Sequence, residues 1–173
     1  MAGMATTGLL ATYLNDHLAG ATFGVDLAHR IARDMEGTPG GLPMAQLAEE
    51  IEADRAQLEE LIDALDFDQG TVKRVVAWVA EKASRLRLNR LATGSEGLSL
   101  LLSMEALSGG IEAKRCLWQA LQEVSGAEPA VARLDPDILV MRAEAQRDLL
   151  ETYRRAVVLA ATRRGPTALI LRR

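Results

Sequence analysis

Six side chains stand where an otherwise apolar pattern makes polarity conspicuous: His17, Asp54, Glu105, Glu112, Gln146 and Tyr153. An imidazole with several carboxylates is a donor set that iron or manganese accepts, and the same groups can instead satisfy one another by hydrogen bonding. Asp54 falls between Ile51 and Leu58 on an apolar stripe, so its carboxylate must find donors, be protonated or bind a cation. His17 follows Tyr13 by four residues and precedes Gly24 by seven, on the flank of a stripe. The reading preferred for it is donation to a nearby carboxylate or carbonyl, with metal ligation as the alternative. Asp16 diverges from it by about 100° on a helix, so the two cannot both point squarely inward. His29 shares a polar face with Asp26 and Arg33 and is read as solvated.

Glu105 and Glu112 are seven apart and lie on one helix face. Counting across the loop that follows them places Glu112 near Gln146 and Arg147, and Glu105 near Tyr153 and Arg154. Such pairs are expected to set helix register. Gln146 can bond a carboxylate without adding charge, and with Tyr153 it is assigned to a polar core. A first loop centred near Thr38 to Gly40 sets Asp54 opposite Gly24 and Val25, and Glu50 opposite His29. Asp54 and His17 are then about two turns apart, roughly 11 Å, too far to share one ion.

Other chemistries find less support. Neither Gly20 with Gly24 nor Gly109 with Gly110 follows a strand or precedes Gly-Lys-Ser or Gly-Lys-Thr, so phosphate-loop chemistry is set aside. Each of these glycines costs about 1 kcal/mol of helix propensity relative to alanine. Close approach of two helix backbones is the expected compensation, with room for a ligand as the alternative. Cys116 is expected to be a small buried residue, because a cysteine nucleophile there lacks a histidine base. Trp78 and Trp118 are read as core anchors.

These residues need helices to position them. Apolar residues recur at three and four, and aromatics are 3%, which disfavours an all-β fold. The first helix is expected from about Gly8 to Arg33, ending at Glu36-Gly-Thr-Pro-Gly-Gly41. A second carries Pro43 in its first turn and runs to Asp68-Gln-Gly70. A shorter third covers about 71–92. The fourth starts from Ser95 as cap and runs to Gly126, and the fifth from Asp135 as cap with Pro136 as first helical residue. Gly165 opens a tail over 164–173. Four of these helices, at about 25 to 30 residues, span roughly 40 Å, which suits side-by-side packing in a four-helix bundle.

Two antiparallel hairpins joined by a crossover helix resemble the ferritin-like superfamily. The segments Tyr13-Leu-Asn-Asp-His-Leu-Ala-Gly20, Gly24-Val-Asp-Leu-Ala-His-Arg30 and Met104-Glu-Ala-Leu-Ser-Gly-Gly-Ile-Glu-Ala-Lys-Arg-Cys-Leu-Trp118 are also similar to uncharacterised bacterial bundle proteins. The resemblance implies a di-iron site with one Glu on each of two helices and Glu-x-x-His on the other two. Here both histidines fall on the first helix, and Asp26-Leu-Ala-His29 is the nearest approach to that motif. The di-iron signature is incomplete.

With 49% hydrophobic residues, the 173-residue chain can bury one core, and a single domain over 1–173 is expected. A net charge of −4 argues against a surface built to coat nucleic acid. Residues 43 to 68 hold nine acids against Arg55 alone, while 71 to 92 are basic apart from Glu81. Pairing of these segments within the chain or between subunits is therefore preferred over nucleic acid. From Arg154 onward there are six arginines and no acid. A single cysteine excludes an intrachain disulfide, and with no basic leader and no apolar run near about 18 residues, a cytoplasmic protein outside the membrane is expected. The resulting expectation is a non-catalytic binding or oligomeric interaction protein without a cofactor, acting as a homo-oligomer or with a protein partner. The enzyme alternative is an iron- or manganese-dependent oxidoreductase, or a metal-binding stress protein, on His17, Asp54, Glu105 and Glu112. A third reading is a carrier of a small apolar molecule held beside Gly20, Gly24 and Gly109.

Overall fold

The computed structural model describes residues 2–65 and 96–163. Five helices account for nearly all of them, with no strand among the described residues: α1 (Ala2–Asp34), α2 (Gly41–Ala64), α3 (Glu96–Val124), α4 (Pro129–Ala132) and α5 (Pro136–Arg163). The expected helix over about 71–92, with Trp78, and the tail over 164–173 lie outside the described residues.

On α1 the three-and-four spacing buries Leu14, Val25, Ala28 and Ile31. The helix begins before the expected Gly8, since residues 2–7 hold no proline to interrupt its ladder. It ends where Gly37 takes a left-handed φ of +74° and the Thr38 hydroxyl donates to the Met35 carbonyl at 2.6 Å. The reversal then brings α2 back against α1 as an antiparallel hairpin. Pro43 lies in the first turn of α2, where its missing N–H costs nothing.

The second hairpin pairs α3 with α5. Its turn holds the short α4, absent from the sequence expectation, in which Pro129 starts a single helical turn that delivers Val131 into the core at 0% exposure. Asp135 precedes α5 with φ 51°, a conformation aspartate tolerates, and its carbonyl accepts from Ile138 and Leu139. The hairpins join through α1 against α3, while α2 meets α5 over a shorter length. Trp118, Leu121, Leu58, Leu14 and Leu150 fill the shared interior, each such burial contributing about 1.5–3 kcal/mol.

The tight α1–α2 turn depends on glycine at Gly41, where a Cβ would sit 2.8 Å from the Met35 carbonyl oxygen. Gly41→Ala should lower unfolding stability by about 1–3 kcal/mol, because the obstacle is backbone that can relieve the clash only by moving the turn. At Gly126 no described atom lies within 4 Å of an added Cβ. Gly126→Ala should therefore shift the urea midpoint by no more than about 0.5 kcal/mol equivalent, and equal losses in both variants would contradict this account.

Candidate functional site

Three helices each place one polar residue on an inward stripe, and the three meet. Asp54 comes from α2 between Ile51 and Leu58, Lys114 from α3 between Ile111 and Trp118, and Gln146 from α5 between Ala143 and Leu150. Asp54 is 1% exposed and Gln146 2%. The Lys114 ammonium donates to Asp54 Oδ2 at 2.5 Å and to Gln146 Oε1 at 2.6 Å. Arg142 donates to Asp54 Oδ1 at 2.8 Å. The Gln146 amide donates at 3.1 Å to both Asp54 Oδ2 and Glu50 Oε2. Burial pushes Lys114 below the usual lysine range, while the adjacent Asp54 carboxylate pulls in the opposite direction. The buried carboxylate thus has donors on both oxygens, which answers the demand that its stripe position creates.

Beside this cluster lies a cavity of about 330 Å³, walled by α1, α2 and α3. Its lining is overwhelmingly apolar, with Phe23, Ile51, Leu58, Leu107, Leu117 and Trp118 contributing. Gly20 and Gly24 of α1 and Gly110 of α3 also line it, and at each of them no described atom lies within 4 Å of an added Cβ. The same holds at Gly109. Close backbone approach, the expected compensation for these glycines, is therefore not what the described residues show. Among the described residues the space is left open. Asp16, His17, Arg55 and Lys114 add polar groups to the wall. His17 packs edge-on against Tyr13 with ring centroids 4.6 Å apart. Burial holds its imidazole below the ordinary histidine value, with Asp16 acting in the opposite direction.

The four residues offered as metal ligands occupy separate environments. His17 and Asp54 both line the cavity, but Asp54 is bonded to Lys114, Arg142 and Gln146. Glu112 accepts from Arg115 at 2.6 and 3.0 Å and from Arg147 at 2.7 Å; chiefly through the Arg115 hydrogen bonds, its carboxyl is held down at about 2. Glu105 meets Arg154 at 3.4 Å. Among the described residues no three His, Cys, Asp or Glu side chains are grouped to hold a metal ion, so those residues by themselves do not make up the di-iron donor set implied by the resemblance.

The predicted partners Arg147 for Glu112 and Arg154 for Glu105 are observed, but Gln146, expected beside Glu112, bonds the carboxylates of Asp54 and Glu50 on α2 instead. Tyr153 is half-buried, with its ring closing over Gly40 rather than joining the Asp54 cluster. His29 meets Glu52 at 3.2 Å, not Glu50, so α2 pairs with α1 about two residues later than loop counting places it. Cys116, expected inside, is exposed: it stands two residues from both Lys114 and Trp118, about 200° around α3 from the stripe they share. Trp118 is the core anchor expected, at 1% exposure.

Lys114 and Arg142 were missed. The signal for Lys114 was available, since Leu107, Ile111, Lys114 and Trp118 alternate at four and three, setting a cation on an apolar stripe as Asp54 sets an anion. Arg142 carries no such signal, because it reaches the cluster from beside the α5 stripe. In comparisons with known proteins, no family model, curated protein or solved structure matches the chain.

Removing one member of a buried ion cluster strands the others. Asp54→Ala should destabilise the protein by about 3–5 kcal/mol, whereas Asp54→Leu, Lys114→Met and Gln146→Leu combined should recover most of that loss. Guanidinium titrations of the single and triple variants measure this. A triple variant as unstable as Asp54→Ala would show that the stranded ammonium is not the origin of the cost.

Proposed function

We propose that this protein is a non-catalytic binding protein that holds a small, mostly apolar molecule between α1, α2 and α3. The observation that carries the reading is the cavity of about 330 Å³ with three glycines in its wall. Pockets that bury small molecules begin at about 300 Å³ and are mostly apolar with a few polar groups, which is the character of this one. Glycine within a helix forgoes about 1 kcal/mol against alanine, and the exposed Gly20 and Gly110 leave the space open to one side. A bundle shaped for stability alone would put side chains there. The wall's charges are largely neutralised among themselves, Asp54 by Lys114 and Arg142 and Arg55 by Glu59, which suits holding a molecule better than transforming one. The two hairpins, joined through α1 and α3, support a ferritin-like scaffold for this role.

The probe for this reading is N-phenyl-1-naphthylamine, whose fluorescence rises in apolar surroundings. Titration should saturate near one probe per chain. Gly20→Leu and Gly24→Leu should each weaken binding by at least about tenfold, or about 1.4 kcal/mol, by filling the space. Gly20→Ala, which meets no described atom, should raise thermal stability modestly while still reducing affinity. Absence of saturable binding to the unaltered protein would sink the proposal.

A further inference from the structure

The polar groups of the cavity wall are unequally committed, and the uncommitted ones define what a bound molecule must offer. Lys114 is held by Asp54 and Gln146, and Arg55 by Glu59. The Arg55 Nε and the Trp118 indole N–H are packed out of reach of the open space, each without a hydrogen-bond partner among the described residues. Asp16 and His17 differ. Both line the cavity, Asp16 exposed and His17 half-buried, and neither makes a hydrogen bond or an ion pair among the described residues. The Asp16 carboxylate can only accept hydrogen bonds, whereas a neutral imidazole offers one donor and one acceptor, so Asp16 is the group that discriminates. A head that reaches Asp16 must therefore supply a donor. A carboxylate head would meet Asp16 as a like charge with no hydrogen bond to exchange, and both wall cations are already held by carboxylates.

We propose that the cavity selects an apolar molecule whose single polar head, an alcohol or an amine, donates a hydrogen bond to Asp16, and disfavours the corresponding carboxylate. This rests on the binding role proposed above. The apolar tail lies along Phe23, Leu58, Leu107 and Leu117, in the space left by the glycines.

The test is displacement of bound N-phenyl-1-naphthylamine from the full chain by decanol, decylamine and decanoate at pH about 8, where the His17 imidazole is neutral and decanoate is ionised. Decanol and decylamine should displace at concentrations at least about tenfold lower than decanoate. Asp16→Asn, at an exposed position that the fold does not depend on, should shrink the decanol-to-decanoate ratio to under about threefold. Asp148→Asn removes an equal charge from α5, which does not line the cavity, and should leave the ratio unchanged. Decanoate displacing as well as decanol, or a ratio that ignores Asp16→Asn, overturns head-group selection while leaving the binding role intact. Failure of the probe to bind at all removes both.

Discussion

A carboxylate taken out of water must be answered by donors that arrive in the right place, and Asp54 imposes that condition on this bundle. Its own helix cannot meet it, because the neighbours along the stripe are Ile51 and Leu58. The donors come from α3 as Lys114 and from α5 as Arg142 and Gln146. An effective penalty of several kcal/mol per buried ion makes misaligned registers expensive, since a shift by one turn would strand both the acid and the lysine. Apolar contacts supply the attraction between helices without choosing among registers as sharply. The polar cluster does the choosing.

The cavity is a neighbour of that constraint. Asp54 and Lys114 belong to the cluster and also to the cavity wall, so the position of α3 relative to α2 sets the width of the space between them. On α1, Gly20 and Gly24 recur at one helical turn and keep the facing surface bare. The inner end of the cavity is thus rigid and internally neutralised, while the side carrying Asp16 and His17 keeps its hydrogen-bonding capacity. Paired charge on one wall, and on another polar groups without a hydrogen-bond partner among the described residues, give the space a direction that a featureless apolar void would lack.

Outside the core, charge has a lesser role. Glu112 gathers Arg115 and Arg147, and Glu151 gathers Arg154 and Arg155. These groups stand in solvent, where an ion pair contributes about 0–1 kcal/mol and salt screens it. They align the surface of the α3–α5 hairpin without deciding how the hairpins meet.

The helices, their approximate ends and the inward stripes were legible in the amino-acid order, because helical periodicity is local and repeats every few residues. So was the anomaly of Asp54, since an acid among leucines is visible without knowing its neighbours. Loop counting found Arg147 and Arg154 for the two glutamates, but missed the His29 partner by two residues and gave Gln146 the wrong carboxylate, because register across a turn is fixed by packing between residues far apart in sequence. The α4 turn and the exposure of Cys116 also went unread. What the linear order alone settled is an all-helical chain with misfit polar residues on its apolar faces. Whether those misfits face an ion, a solvent channel or one another is a property of distances between helices far apart in sequence, as are the cavity and its open glycines, and only the packed structure decides them.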